Sequence, residues 1–445
     1  MNHNLSSFRL FSTLGSLGLC ALLFGGTACD GGEDPGAAGG ESGHAERPVA
    51  TASRSGGGNP DAANTDAQDP NAYLHEKLKD GPKPVAPDAK ATFEEMLTLI
   101  DEHYVDENMD RDRLYTAAMR GVMDELIQMP GHDVNSLMSP EDFSMLLEGT
   151  EGKIVGVGVM IEAVGDLLVV RGAVAGSPGE AAGLQEGDRI LAVNGTRVTE
   201  LGLKGAVDQI RGEAGTKVEL FVQRDTEEWT LDIERAPVKV PSVESVMLRD
   251  GVGYLRIRGF SKETGSEAKA QLDALAEAGM KGLVLDLREC PGGLLETALE
   301  VAELFLAPEL PIVSIRGRKG DEDKVAATKD AYDDLPIVAV IGPKTASGAE
   351  ILSGALQENG RALIVGQQSF GKGTVEAIHK LENGWALKLS AARFFSPNDV
   401  ARQDNGVSPD FEVVRSEGKL PKPEELAKAP DAEVGAAMRL LEIGG

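Results

Sequence analysis

Residues 282–295 read GLVLDLRECPGGLL, and this stretch decides the fold class of the chain. The mainly apolar run Gly282–Arg288 is typical of a strand that is buried on both faces of a sheet. Pro-Gly-Gly then turns the chain, and Leu294–Leu306 has the composition and spacing of a helix. The same alternation of strand and helix continues from residue 250 onward. It predicts a layered α/β domain with a mostly parallel sheet.

The remaining elements of this domain follow from the same reading of apolar runs and turn residues. The predicted strands are Gly253–Ile257, Ile312–Ile315, Ile337–Ile341, Ala362–Val365, Thr374–Leu381 and Trp385–Phe395. The predicted helices are Gly265–Ala278, Ser347–Leu356 and residues 431–442.

A different pattern, short strands separated by turns, occupies residues 152–236 and predicts a small β domain of its own. Its predicted strands are Val155–Ile161, Leu167–Arg171, Arg189–Val193, Lys217–Arg224 and Glu228–Arg235. Short helices are expected at Pro178–Ala182 and Leu203–Arg211. Upstream, residues 91–129 have the three-four apolar spacing of two helices.

The composition excludes several classes of protein. Lys and Arg number 44 against 72 Asp and Glu in 445 residues, which gives a net charge of −28. A chain this acidic is not expected to bind nucleic acid, which requires a basic face. The six His residues are dispersed and no HExxH motif occurs, so neither a metal nor a cofactor is expected.

The first 87 residues indicate export. An apolar stretch from Leu10 to Gly26 suits the core of a signal peptide, and we predict residues 1–28 as that signal. Gly26-Thr-Ala-Cys29 resembles a lipoprotein cleavage box with Cys29 as the lipidated residue; the alternative is ordinary cleavage near Ala28. Residues 29–87, rich in Gly, Ala and Pro, predict a disordered tether. We therefore expect a protein of the cell envelope or periplasm that acyl chains on Cys29 hold to a membrane.

Three segments contain residues that could perform chemistry, and Ser347 is the first of them. It follows a buried strand and a Gly-Pro break, and it opens a helix. The pattern predicts an exposed hydroxyl beside free N–H groups, including that of Gly348, which would suit an oxyanion. The alternative is an ordinary helix N-cap.

The second segment places Lys372 between two glycines, where the backbone can bend sharply and approach another part of the chain. A lysine acts as a general base near neutral pH only when a dry environment lowers its pKa from about 10.4 to about 7–8. The alternative is a surface turn. His379 lies in a strand pattern and is expected to be a packed or surface residue. In the third segment, Gly292 and Gly293 can turn N–H groups toward a ligand or form a tight turn.

The order of the three segments resembles that of the C-terminal processing, or tail-specific, proteases. The segments are DLRECPGG (286–293), TASGAE (345–350) and SFGKGTVE (369–376). The resemblance extends over most of residues 90–415. The small β domain resembles a PDZ domain, whose carboxylate-binding loop would be Val155-Gly156-Val157-Gly158. The resemblance implies an N-terminal helical region (88–150), a PDZ domain (151–237), a crotonase- or ClpP-like α/β protease core (238–415) and a C-terminal helical tail (416–445).

The resemblance also implies roles for individual residues. Ser347 would be the nucleophile and Lys372 the general base of a Ser/Lys dyad. The oxyanion donors would be the N–H of Gly348 and that of either Gly292 or Gly293. The implied partners are proteins or peptides with free C-termini, which the PDZ domain would bind. Whether the chain forms a homo-oligomer is left open.

Two residues depart from the family pattern. Glu376 stands where the family has a Gln as third catalytic member, and Cys290 stands where it has an Asn. An ionised Glu376 would stabilise the ammonium form of Lys372 and so weaken the base. The expected function is a serine endopeptidase of the C-terminal processing type. The alternative is a catalytically weak or silent PDZ scaffold that binds protein tails in the cell envelope.

Overall fold

The computed structural model describes residues 88–443 except for 107–108, 128–133, 329–331, 333, 416–417 and 419. The predicted signal peptide, the tether and Cys29 therefore lie outside the described residues. The described chain forms two compact units, one that ends at Ala117 and one that begins at Ala118. None of the described helices is both long enough and apolar enough to span a membrane.

The first unit contains helix α1 (Ala89–His103) and the beginning of helix α2 (Arg111–Ile127). The Asp88 carboxylate caps α1, since it accepts a hydrogen bond of 3.0 Å from the N–H of Ala91. The rings of Phe93 and Tyr115 lie 6.4 Å apart and hold the two helices together.

The small β domain contains an antiparallel sheet in the order β3-β4-β5-β7-β8. It begins after strand β1 (Ser136–Met138) and helix α3 (Pro140–Thr150). Its strands are β2 (Lys153–Gly156), β3 (Val159–Val164), β4 (Leu167–Ala173), β5 (Arg189–Val193), β6 (Thr196–Arg197), β7 (Lys217–Arg224), β8 (Glu227–Glu234) and β9 (Ala236–Lys239). Its helices are α4 (Pro178–Ala181) and α5 (Val198–Ile210).

The prediction of one strand over Val155–Ile161 is wrong, because the chain breaks at Gly158. This residue has a φ of +71°, and a Cβ atom there would lie 2.4 Å from the Cβ of Ser177. Strand β2 therefore leaves the main sheet of the domain and pairs with β9 instead.

The larger domain is built on a six-stranded sheet in the order β10-β11-β12-β15-β16-β19, in which β10 alone is antiparallel to its neighbour. The strands are β10 (Val243–Met247), β11 (Val252–Ile257), β12 (Gly282–Asp286), β15 (Ile337–Ile341), β16 (Leu363–Gly366) and β19 (Phe411–Glu412). The helices are α6 (Thr264–Glu277), α7 (Leu295–Glu303), α8 (Gly348–Glu358), α9 (Pro423–Lys428) and α10 (Ala432–Ile443).

Alternate residues of the central strands enter two separate cores. Leu283 and Leu285 pack with residues of α6, α7 and α8, whereas Val284 packs with residues of α9 and α10. Helices thus cover both faces of a mostly parallel sheet, as expected for buried strands without polar alternation. The predicted α/β fold class is confirmed.

A second, antiparallel sheet was not predicted. It has the order β1-β18-β13-β14, and β17 also pairs with β18. Its further strands are β13 (Pro311–Gly317), β14 (Glu322–Ala326), β17 (Thr374–Lys380) and β18 (Ala386–Phe395). The sequence missed β14 because it is short, charged and largely exposed.

Candidate active site

Ser347 lies immediately before helix α8 in a backbone conformation that non-glycine residues rarely adopt. Its φ is 56° and its ψ is −115°, and its side chain is fully buried. Its Oγ atom has no hydrogen-bond partner among the described residues. The N-cap interpretation therefore fails for the hydroxyl. A strained residue with an orphaned buried hydroxyl is a candidate for chemistry.

The prediction that the Ser347 hydroxyl is exposed at a sheet edge is wrong. The Gly292 turn lies directly against this residue, because a Cβ atom on Gly292 would be 2.9 Å from the Cβ of Ser347. Only a glycine permits this approach, and the φ of +100° at Gly292 also favours glycine.

The backbone N–H groups of Gly348 and Gly293 belong to the two segments that meet at Ser347. Neither Gly348 nor Gly293 donates its N–H to another residue in the part of the chain that the structure describes. Gly293 is held in place because Phe260 receives a hydrogen bond of 2.7 Å from Leu294 and donates one of 2.9 Å to Gly292. These two N–H groups have no acceptor among the described residues, so their role as oxyanion donors stays a prediction.

Cys290 is a small, fully buried residue beside the Gly292 turn. Burial raises the pKa of its thiol to about 12, although a hydrogen bond from the Gly292 backbone lowers it in part. The same contact means that the N–H of Gly292 faces the sulfur atom. Between the two predicted glycines, Gly293 is therefore the one with an unoccupied N–H.

We expect Cys290 to be inert toward alkylating reagents in the folded protein. A thiol with a pKa of about 12 has almost no thiolate at pH 7 to 9, and the residue is fully buried. Iodoacetamide treatment followed by mass-spectrometric mapping should leave the Cys290 peptide unmodified, whereas the same treatment in guanidinium should modify it fully. Fast modification of the native protein at pH 7 would contradict the burial of this thiol.

Lys372 lies on the loop that precedes β17, and 14% of its side chain is exposed. Its Nζ atom lies 3.2 Å from Oε2 of Glu376, and Oε1 of Glu376 accepts a hydrogen bond of 2.9 Å from Thr374. A Cβ atom on Gly373 would be 2.2 Å from the backbone nitrogen of Gln403. The predicted close approach of another chain segment at this glycine is therefore confirmed.

Glu350 joins the serine segment to the lysine loop, and the sequence analysis gave it no role. Its side chain is fully buried in the first turn of α8. Oε2 accepts the N–H of Ser347 at 2.7 Å and that of Lys372 at 2.9 Å. Oε1 accepts the hydroxyl of Ser369 at 2.5 Å and the N–H of Gly371 at 2.6 Å.

This carboxylate fixes the distance between the two backbones, because one oxygen atom contacts both amides. Burial raises the pKa of Glu350, and the four donors lower it in part. The spacing Ser-x-x-Glu is that of a capping box, a signal that could have pointed to Glu350 from the sequence.

No hydrogen bond joins Ser347 Oγ to Lys372 Nζ in this structure. The lysine amine instead contacts Glu376, although its backbone is held beside Ser347 through Glu350. A lysine side chain has four rotatable carbon–carbon bonds, so rotation of the side chain can redirect Nζ without movement of the loop.

A buried charge cluster anchors the strand end that precedes the Gly292 turn. Arg288 donates to Asp286 at 2.8 Å and to Asp431 at 2.8 Å. It also contacts Glu433 at 2.5 Å. Burial alone would lower the pKa of Arg288, but the carboxylates of Asp286 and Asp431 raise it above its usual value. The guanidinium therefore stays charged and ties helix α10 to this part of the site.

Two of the four predicted PDZ loop residues lie in a strand, and the other two lie between strands β2 and β3. Val155 and Gly156 belong to strand β2 and pair with β9. Val157 is buried in the core of the small domain, and its carbonyl accepts the N–H of Gly179 at 2.7 Å. Gly158 leads directly into β3, which is the edge strand of the sheet.

Comparison with known proteins identifies the class of this chain as a peptidase with an attached PDZ domain. The family description "Peptidase family S41" matches residues 251–413, and "PDZ domain" matches residues 169–224. A carboxyl-terminal-processing protease of Synechocystis is 36% identical over 358 residues, which are 78% of this chain and 81% of the relative. One from Bartonella bacilliformis is 35% identical over 334 residues, 73% of this chain and 74% of the relative.

The chain belongs to the carboxyl-terminal-processing proteases of peptidase family S41, so the resemblance seen in the sequence is confirmed. Among solved structures, the photosystem II D1 C-terminal processing protease is 29% identical with a TM-score of 0.43. That match covers 74% of this chain and 88% of the other.

Proposed function

We propose that this chain is a serine endopeptidase of the C-terminal processing type that uses Ser347 as nucleophile and Lys372 as general base. One observation carries the proposal: a strained, buried serine with an orphaned hydroxyl is tied by the Glu350 carboxylate to the backbone of a lysine loop. This arrangement supports the proposal because one carboxylate holds the backbones of two residues of complementary chemistry that are far apart in the chain.

In the proposed reaction Lys372 Nζ accepts the proton of the Ser347 hydroxyl while Oγ attacks a peptide carbonyl carbon. The N–H groups of Gly348 and Gly293 donate to the resulting oxyanion. Lys372 then returns the proton to the leaving amine as the carbon–nitrogen bond breaks. Water, activated by the same amine, hydrolyses the acyl enzyme and restores the serine.

The PDZ domain is proposed to select substrates by their free C-termini. Strand β3 lies at the edge of its sheet, where an extended peptide can pair as an additional strand. The loop at Val157 and Gly158 stands at the start of this edge, where the terminal carboxylate would bind. A tail peptide with a free C-terminus is therefore expected to be cleaved faster than its C-terminal amide.

The proposal includes export, lipidation of Cys29 and attachment to a membrane of the cell envelope. It rests on the apolar stretch and the small residues before Cys29 in the sequence. The tether would leave the protease free to reach protein tails some distance from the membrane surface.

The second candidate is a catalytically weak or silent PDZ scaffold. The observation that favours it is the contact between Lys372 and Glu376, together with the absence of a hydrogen bond between Lys372 and Ser347 Oγ. A lysine amine that contacts a carboxylate instead of the serine hydroxyl is not placed to accept the serine proton.

Labelling with a fluorophosphonate probe tests the proposal against this alternative. We expect covalent modification that mass spectrometry maps to Ser347, together with cleavage of a peptide that has a free C-terminus. Absence of both between pH 6 and 10, in a protein that still binds the peptide, would favour the scaffold.

Glu376→Gln is expected to raise kcat a few-fold. A neutral amide attracts the Lys372 amine less strongly than a carboxylate does, so the amine can turn toward Ser347 more readily. The measurement is kcat for a tail peptide with a free C-terminus. An unchanged kcat would show that the contact with Glu376 does not restrain Lys372.

A further inference from the structure

Two buried side-chain oxygens lack a hydrogen-bond partner in the described part of the chain: Ser347 Oγ and Ser390 Oγ. Buried hydroxyl groups are nearly always hydrogen-bonded, so each exception requires an explanation. The proposed reaction explains Ser347. It does not explain Ser390, which lies in β18, a strand of the second sheet.

Ser390 lies opposite Glu376, the residue whose carboxylate contacts the proposed base Lys372. In the antiparallel pair of β17 and β18, Ser390 is directly opposite Glu376. Side chains directly opposite one another in such a pair extend from the same face, with Cβ atoms about 5 Å apart. The backbone position is fixed, since the N–H of Ser390 donates to Oδ1 of Asn135 at 2.7 Å. The free hydroxyl thus lies on the face from which Glu376 reaches Lys372.

Two acceptors can orient a lysine that acts as a base. Its neutral amine has one lone pair and two N–H groups, and acceptors that hold both N–H groups leave the lone pair to accept the Ser347 hydroxyl, which donates. Glu376 Oε2 supplies the first acceptor, at 3.2 Å from Nζ. A second acceptor near Glu376 would complete the orientation.

Two neighbouring polar groups are less suited to this role. The hydroxyl of Thr374 is already oriented by Glu376, to which it donates at 2.9 Å, although its lone pairs can still accept. Lys388 lies two residues before Ser390 on the same strand and therefore on the same face, but its ammonium only donates. Ser390 Oγ is both uncommitted and capable of accepting a hydrogen bond.

We propose that Ser390 is a positioning residue whose hydroxyl accepts an N–H of Lys372 when the amine, still in contact with Glu376, turns its lone pair toward Ser347. This inference rests on the proposed function. When Nζ takes the Ser347 proton it becomes an ammonium with three N–H groups. Glu376 and Ser390 hold two of them, and the third is directed to the leaving amine, which receives that proton.

The test compares Ser390→Ala and Ser390→Thr with wild type in the full-length chain. Two rates are measured: cleavage of a tail peptide, and phosphonylation of Ser347 by a fluorophosphonate, which needs an activated serine but no peptide contact. Ser390→Ala should lower kcat and the phosphonylation rate about tenfold each, as expected for a lost hydrogen bond to a charged group. KM should stay within about twofold, and Ser390→Thr should restore most of both rates.

The matched control is Ser353→Ala. Ser353 is also buried, but its hydroxyl donates to the carbonyl of Ala349 within helix α8. It should leave both rates unchanged. A double variant with Glu376→Gln adds a second criterion: because both residues would hold the same amine, the two effects should not be additive.

Several outcomes would overturn the inference. A rise in KM with an unchanged phosphonylation rate would assign Ser390 to substrate contact. If Ser390→Ala and Ser353→Ala lowered the two rates equally, or if Ser390→Thr restored neither rate, Ser390 would have a packing role alone. If Ser390→Ala does not fold, Ser390→Cys, which keeps the volume but accepts weakly, should show the same loss. A wild-type chain without Ser347-dependent labelling or cleavage would instead refute the proposed function, and this inference with it.

Discussion

Ser347→Ala is expected to abolish peptide cleavage, with a fall in kcat of about 10⁴-fold or more. The hydroxyl is the only group of this residue that can form the acyl enzyme, and its Oγ has no structural hydrogen bond to lose. The unfolding temperature should therefore change little. The measurement is cleavage of a tail peptide with a free C-terminus, alongside thermal unfolding of both proteins.

The variant should still bind the tail peptide, because the PDZ domain is a separate part of the fold. Binding without cleavage would locate the defect in the chemical step. If Ser347→Ala kept more than about a hundredth of the wild-type kcat, another group would have to be the nucleophile and the proposed mechanism would be wrong.

Glu350→Ala is expected to cost both stability and activity. The substitution removes the acceptor for four donors, those of Ser347, Ser369, Gly371 and Lys372. Buried donors left without a partner cost about 1–3 kcal/mol each, so we expect a loss of at least about 3 kcal/mol in the free energy of unfolding. We also expect kcat to fall about 100-fold or more, because the serine and lysine segments are no longer held together. Denaturant unfolding and peptide cleavage measure the two effects.

Glu350→Gln separates the two effects. It keeps the shape of the side chain but replaces one carboxylate oxygen by an NH₂ group. Each of the two oxygens accepts two hydrogen bonds, so the NH₂ group would face two donors and could accept neither. It should lose activity while it folds better than the alanine variant. Glu358→Gln is the matched control at the other end of helix α8, where the carboxylate accepts the N–H of Asn398 at 2.7 Å. Wild-type activity in Glu350→Gln would show that the bridge does not position the site.

Much of the site could be predicted from the sequence because its parts are local. The turn at Gly292, the serine at the start of α8 and the lysine between two glycines each leave a short pattern of residue types. The spacing Ser347-x-x-Glu350 is also a local pattern, but it predicts only a helix cap. A Glu that caps a helix and a Glu that also binds a second segment have the same spacing in the sequence. The position of the lysine loop in the structure shows that Glu350 does both.

The burial of Ser347 was predicted wrongly for a related reason. A helix start after a strand is exposed unless another segment covers it, and the covering Gly292 turn lies more than fifty residues earlier in the chain. The role that we propose for Ser390 could not be predicted either. It depends on the register between β17 and β18, and on the bulge next to Glu376.

The sequence by itself determined the alternation of strands and helices and the family, and it singled out Ser347 and Lys372 as candidates, because these follow from short-range periodicity and motifs. The tertiary structure decided which groups meet. It buried the serine, bridged it to the lysine loop through Glu350 and placed Ser390 opposite Glu376. The physical reason is that such contacts depend on strand pairing and on close backbone approach between segments far apart in the chain, which no local pattern encodes.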